Sequence, residues 1–357
     1  MLPHAGNRAA PVRTYNLCLL GYGNVNRALA ELLANRRTEL RECYGIEWRI
    51  TGVASRRIGW LTKPEGFQVG ALDNREIDNA EIENGESVTR HTGVSDWLRA
   101  AGADVLFEAT SLNVQDGQPA VAHIRAALEC GAHAVTANKG PVVFAYRELR
   151  ELAAAKGKQF LFESAVMDGV PIFSLFQRTL PAIRLTGLQG ILNSTTNVIL
   201  GGMEQGLSFE QALRKAQELG VAETDATHDI EGWDAAVKVA ALVNVLMGIE
   251  LRPQQVEREG IGKLSAEAIR GARESGRPYK LVCRAARSGN AVKASVRPEQ
   301  LPITDPMALV EGTSSIICFE TDIFPMLRIT EEHPGVEATA YGMLADFVRA
   351  VKPEQSL

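Results

Sequence analysis

Lys238 stands in an unusually apolar run. From Ala235 to Met247 the strongly polar residues are Lys238 and Asn244. The spacing from Trp233 onward predicts one helix buried on every face. A buried ammonium is costly without a partner. Asp234 precedes Lys238 by one turn on the same helix face, where the two can pair. Burial lowers a lysine pKa and a nearby carboxylate raises it, so such a pair can be structural or can handle protons. The segment before the helix, "AETDATHDIEGW", adds Glu223, Asp225, Asp229 and Glu231. Several acids around one lysine make a polar pocket at a helix start. That pocket suits a substrate carrying an ammonium group beside an alcohol or carbonyl.

A second constellation is suited to phosphates. "LLGYGNVNRAL" (19–29) follows a strand pattern and opens a helix pattern. Gly21 and Gly23 fill the first two places of a G-x-G-x-x-G fingerprint, with Asn24 and Val25 at the helix start. Such a turn lets the backbone approach a pyrophosphate at the helix N-terminus. The third place is Asn26 rather than glycine. At the end of the next strand, "VASRRIGW" supplies Ser55, Arg56 and Arg57 and no acid. Arginine there suits the 2′-phosphate of NADP(H), and an acid would suit NAD(H); the expectation is NADP(H) over NAD(H). "FEATS" (107–111) and "TANKG" (136–140) place Thr110, Ser111, Asn138 and Lys139 just past two further strands, where open parallel sheets bind ligands.

These groups need a scaffold to position them. Strand and helix patterns alternate regularly up to about residue 160, which implies an α/β, Rossmann-type doubly wound parallel sheet. Beyond it come strand patterns, a hairpin over 278–301 with its turn near Ser288–Asn290, and a closing helix. The expected division is a nucleotide-binding domain of residues 1–160, completed by the C-terminal helix 335–357. Residues 161–334 form a second, α+β domain for substrate binding and dimerisation.

The 357 residues suffice for two domains. A net charge of −5 and the lack of a basic run give no footing for nucleic acid or an anionic membrane. No apolar run reaches transmembrane length. The opening "MLPHAGNRAAPVRTY" lacks a signal-peptide core and reads as a loose lead-in. The five cysteines (18, 43, 130, 283, 318) form no CxxC pair, which points to reduced thiols in a cytoplasm.

From about Tyr15 onward the chain resembles homoserine dehydrogenase, in the short form without a C-terminal regulatory domain. The most specific stretch is "GILNSTTNVILGGMEQGLSFEQALRKAQELGVAETDATHDIEGWDAAVKVAAL" (190–242), joined by "TANKGP" (136–141) and "PGVEATAYGMLADF" (334–347). The resemblance implies NAD(P)-dependent interconversion of L-aspartate 4-semialdehyde and L-homoserine in threonine and methionine biosynthesis, by a homodimer. It implies Asp234 and Lys238 as the catalytic pair and Lys139 as a second proton-transfer candidate. It gives Glu223, Asp229 and Thr195 to the substrate, with Ser194 beside them, and Gly335 to the cofactor. A monovalent cation, Na or K, is implied at Glu163, Val166, Asp168 and Val170.

The chain departs from the family at Asn26, at Ser194 in "NST", and at Met167 and Asp168 in "AVMDGVP", each in place of a small residue. These departures leave an alternative: a sister oxidoreductase acting on another small amino-acid aldehyde or hydroxy acid.

Overall fold

The computed structural model describes residues 11–72 and 88–352. The first ten residues of the expected lead-in (1–15) and the last residues of the expected closing helix, 353–357, lie outside the described residues, and a strand already begins at Arg13, inside that lead-in. The chain divides into two units. One runs through Pro171 and resumes at Gly335; the other is Ile172–Pro334.

The first unit is built on a seven-stranded sheet. Its strands are β1 (Arg13–Leu20), β2 (Ile46–Ser55), β3 (Gly59–Phe67), β4 (Thr89–His91), β5 (Val105–Glu108), β6 (His133–Thr136) and β7 (Phe160–Leu161). They lie in the order β4-β3-β2-β1-β5-β6-β7. The connecting helices are α1 (Asn24–Asn35), α2 (Arg37–Tyr44), α3 (Val69–Leu72), α4 (Val94–Ala100), α5 (Ala120–Glu129), α6 (Lys139–Phe144) and α7 (Tyr146–Ala155).

Strands β2, β1, β5, β6 and β7 are parallel. The edge strands β3 and β4 are antiparallel, unlike the uniform sheet the alternation predicts. The reason is local. After β2 the chain turns within a few residues at Gly59, whose φ is +74°; a turn without a crossover helix can only reverse the strand. The strand order reverses direction between β1 and β5, which makes their carboxyl ends the expected ligand crevice.

The second unit carries a six-stranded sheet. Its strands are β8 (Leu185–Ile191), β9 (Glu257–Arg258), β10 (Tyr279–Ser288), β11 (Ala291–Gln300), β12 (Ser315–Thr321) and β13 (Leu327–Glu331), ordered β13-β12-β8-β10-β11-β9. All neighbours are antiparallel except β11 and β9. The β10–β11 hairpin pairs Ser288 with Ala291. Its two-residue turn has Gly289 at φ +63°, the backbone a tight hairpin demands.

The helices here are α8 (Ser194–Glu204), α9 (Phe209–Glu218), α10 (Thr227–Ile230), α11 (Trp233–Leu242) and α12 (Ala266–Glu274). Seven of the ten residues of α11 are buried. The helix widens into a π turn over Val243–Met247 and stops at Gly248, φ +66°. Asn244 Oδ1 accepts the Leu251 N–H at 2.7 Å, which accounts for the second polar residue of that apolar run.

The last helix, α13 (Val336–Val351), returns to the first unit. Met343 and Phe347 join Leu17, Leu19, Leu29, Leu33 and Phe107 in one buried cluster. Phe347 meets Tyr15 and Phe107 edge-on, with centroids at 5.9 and 5.8 Å. Burying each such side chain contributes about 1.5–3 kcal/mol. The first unit extends past residue 160, to Pro171, because the segment after β7 is fastened to α13. Ser164 Oγ donates to Thr339 O at 2.7 Å, and Asp346 Oδ2 accepts the Glu163 N–H at 2.8 Å. Among the described residues no helix is long and apolar enough to cross a membrane.

Candidate active site

At the end of β1, Gly21 has φ +80°. A Cβ there would stand 2.6 Å from the main chain of Ala109, so only glycine lets the turn lie against the end of β5. Gly23 is the N-cap of α1, exposed, with open space where a Cβ would point. No side chain caps that end, so its N–H groups are available to an anion. Exposed Asn24 and half-buried Val25 form the first turn.

Asn26 is fully buried and explains its own departure from glycine. Its Nδ2 donates to Leu20 O at 3.0 Å and to Gly21 O at 3.2 Å, bracing the turn from below.

At the end of β2, Ser55 Oγ accepts the Ile58 N–H at 3.4 Å, and Arg56 and Arg57 are exposed in the turn so closed. Thr110 and Ser111 follow β5. Asn138 caps α6, accepting the Gly140 N–H at 2.8 Å, and Lys139 is the half-buried first residue of that helix. Gly335 is the exposed N-cap of α13.

The carboxylates expected at a cation are committed to other partners. Glu163 Oε2 lies 2.9 Å from Arg349 Nη2, and Asp346 pairs with the same guanidinium. Asp168, at φ +44°, accepts the Thr339 hydroxyl at 2.6 Å. Val166 is buried and Val170 half-buried in this stretch.

In the second unit the residues after β8 form not merely a polar turn but a helix start. Asn193 is the N-cap of α8, accepting the Thr196 N–H at 2.9 Å. The same side chain does a second job. Its Nδ2 donates to Asp229 Oδ1 at 2.6 Å and to Asp234 Oδ2 at 3.2 Å. Asp234 Oδ2 is 3.4 Å from Lys238 Nζ, which also donates to Leu192 O at the end of β8. Lys238 is therefore partnered, and its side chain retains 16% exposure.

Burial raises the Asp229 carboxyl above its usual range, and the neighbouring Asp234 adds to this; the hydrogen bond from Asn193 and the charge of Lys238 oppose it. Thr195 is buried and donates to Val221 O at 3.0 Å. Ser194 begins α8, half-buried.

Not every acid of the loop converges on this cluster. Asp225 accepts the Thr227 N–H at 3.1 Å. Glu231 is exposed, and its carbonyl is held by Arg258, which stacks 3.9 Å over the Trp233 ring. Glu223 is exposed; its carbonyl accepts from Gln217 Nε2 at 3.3 Å. Asn193 carried no explicit expectation from the sequence. The available signal was Asn-Ser-Thr-Thr before an apolar run, a capping pattern.

A doubly wound sheet with an open phosphate turn, and a separate unit with a lysine, two carboxylates and a bridging amide, define an NAD(P)-dependent oxidoreductase. Family models locate the two parts: homoserine dehydrogenase, NAD binding domain, over residues 21–163, and homoserine dehydrogenase over residues 171–348. The chain belongs to the homoserine dehydrogenase family.

It is 35% identical to an NAD(+)-dependent homoserine dehydrogenase of Pseudomonas canavaninivorans, covering 94% of this chain and 95% of the relative. It is 33% identical to a homoserine dehydrogenase of Methanocaldococcus jannaschii, covering 93% and 97%. A crystal structure of a putative homoserine dehydrogenase from Archaeoglobus fulgidus matches with a TM-score of 0.81 at 31% identity, covering 94% and 98%. These matches favour the homoserine reading over a sister oxidoreductase.

Proposed function

We propose that the protein interconverts L-aspartate 4-semialdehyde and L-homoserine with NADP(H) as the preferred cofactor. The observation that carries the reading is the cluster of Asn193, Asp229, Asp234 and Lys238. Reduction of the aldehyde develops charge on its oxygen, and an ammonium can both stabilise that oxygen and give it a proton. Lys238 takes this role, oriented by Asp234 and Leu192 O. Asp229 pairs with the substrate ammonium, and Thr195 and Ser194 line its seat. Lys139 is the second lysine that could move a proton.

The residues present fit a nicotinamide dinucleotide. Gly21 to Val25 would take the pyrophosphate, Arg56 and Arg57 the 2′-phosphate, and Thr110, Ser111, Asn138, Lys139 and Gly335 the remaining contacts. The bound cofactor supplies or accepts the hydride. The Glu163 and Asp168 carboxylates implied as ligands of a monovalent cation are engaged by Arg349 and Thr339, and do not fit that role.

The five cysteines are free, which suits a cytoplasmic enzyme. A homodimer is proposed from the family and is checked by light scattering, as twice the chain mass.

The functional test is absorbance of the reduced nicotinamide, with homoserine and either NADP or NAD at alkaline pH. Homoserine-dependent reduction, faster with NADP, is expected. Arg56→Ala should raise the NADPH KM about tenfold or more and leave NADH nearly unchanged, as loss of a charge-assisted contact predicts. Equal losses for the two cofactors would remove the NADP preference, and no reduction with either would overturn the activity.

A further inference from the structure

Glu108 ends β5 and is 0% exposed. Its Oε1 accepts both the Thr110 N–H, at 2.9 Å, and the Thr110 hydroxyl; its Oε2 accepts the Thr136 hydroxyl at 2.7 Å. Thr136 Oγ1 in turn accepts the Asn138 N–H at 2.9 Å, and Asn138 Nδ2 donates to Thr110 O at 3.0 Å and Ser111 O at 3.4 Å. The bonds close a ring across the carboxyl ends of β5 and β6. Among the described residues no lysine, arginine or histidine pairs with Glu108. Burial pushes the Glu108 carboxyl above its usual range, and the hydrogen bonds from Thr110 and Thr136 pull it back. Only a group that accepts on both oxygens can satisfy these donors together.

We propose that Glu108 is the positioning residue for the cofactor. It fixes Thr110, Ser111 and Asn138 in one arrangement before the dinucleotide arrives, so binding need not order them. This rests on the reading that the crest of the first unit holds the nicotinamide dinucleotide. Glu108→Gln keeps the shape but turns one acceptor into a donor facing a hydroxyl.

The test is titration with NADPH, followed by its fluorescence, together with steady-state KM values and thermal melting. Saturable binding by the unaltered protein tests the reading itself; its absence overturns both. Given that binding, folded Glu108→Gln should bind NADPH about tenfold or more weakly, as leaving the buried Thr136 hydroxyl without its acceptor predicts. Its homoserine KM should stay within about twofold of the unaltered protein's, since positioning acts on the cofactor alone. Thr136→Val should reproduce the loss, and the double variant should add little, because both act through one network. If Glu108→Gln does not fold, Thr136→Val alone decides. Unchanged NADPH affinity in the folded variant, or a homoserine KM raised as much as the cofactor's, would overturn the positioning role.

Discussion

In the proposed reaction, Lys238, Asp229 and Asn193 divide the chemical work of the second unit. Lys238→Ala should cut turnover by about 10²–10⁴-fold, as loss of a positioned proton donor does, with NADPH binding intact. Normal turnover would show that another group moves the proton. Asp229 must be ionised to hold an ammonium, and burial together with Asp234 raises its pKa. As pH falls it therefore protonates earlier than an exposed aspartate would. The kcat/KM for homoserine should decline on that acid side, and Asp229→Asn should lower it by about 10–100-fold and remove the decline. A pH profile with the same acid limb in that variant would assign the limb elsewhere. The Asp234–Lys238 pair was legible in the sequence because helical spacing alone brings it together. Asn193 was not, because it lies 36 residues from Asp229 and only the return of α10 and α11 to the end of β8 joins them. Glu108 was hidden for a related reason: in "FEATS" it reads as one residue of an apolar strand, and its worth depends on Thr136 in the next strand.

At the scale of elements, α13 is held to the segment after β7 by a buried charge cluster. Arg349 serves both Glu163 and Asp346. Burial, aided by Glu163, pushes Asp346 up to about 6, while Arg349 holds it down. Arg349→Met leaves two buried carboxyls without a cation and should cost about 3–5 kcal/mol at neutral pH, read as a lower melting temperature. The sign of its pH dependence follows. Asp346 has a higher pKa folded than unfolded, so the native state binds the proton more tightly, and its contribution to stability falls as pH rises through about 6. Removing Arg349 raises that pKa further. The penalty should therefore be largest above neutrality and shrink on acidification; a gap that does not change with pH would mean the guanidinium acts by packing alone. The sequence showed α13 as a closing helix. It did not show this fastening, because Glu163 and Arg349 lie at opposite ends of the intervening unit.

For the whole molecule, the regular alternation of patterns was enough to predict the parallel sheet, and the polar turn near Ser288–Asn290 was enough to predict the hairpin. The antiparallel edge of the first sheet was not legible, since β3 and β4 read as neither regular strands nor helices in a sequence whose turn at Gly59 gives little warning. The divided first unit makes a prediction of its own. A chain ended after Pro334 lacks Met343 and Phe347 from the cluster around Leu17 and Phe107, each worth about 1.5–3 kcal/mol. It should lose NADPH binding and aggregate; a soluble truncated chain with full affinity would show that α13 is dispensable.

The same division sets an order during synthesis. Domains ordinarily complete themselves from the N-terminus as the chain emerges. Here every residue of Ile172–Pro334 leaves the ribosome before Val336 does, so the middle of the chain can finish first. The groove on α1 that α13 will fill stays uncovered while ~160 residues are added, which takes roughly 10–30 s at ordinary elongation rates. During that interval the nascent dinucleotide-binding unit, not the unit that follows it, presents unfinished apolar surface to the cell's chaperones.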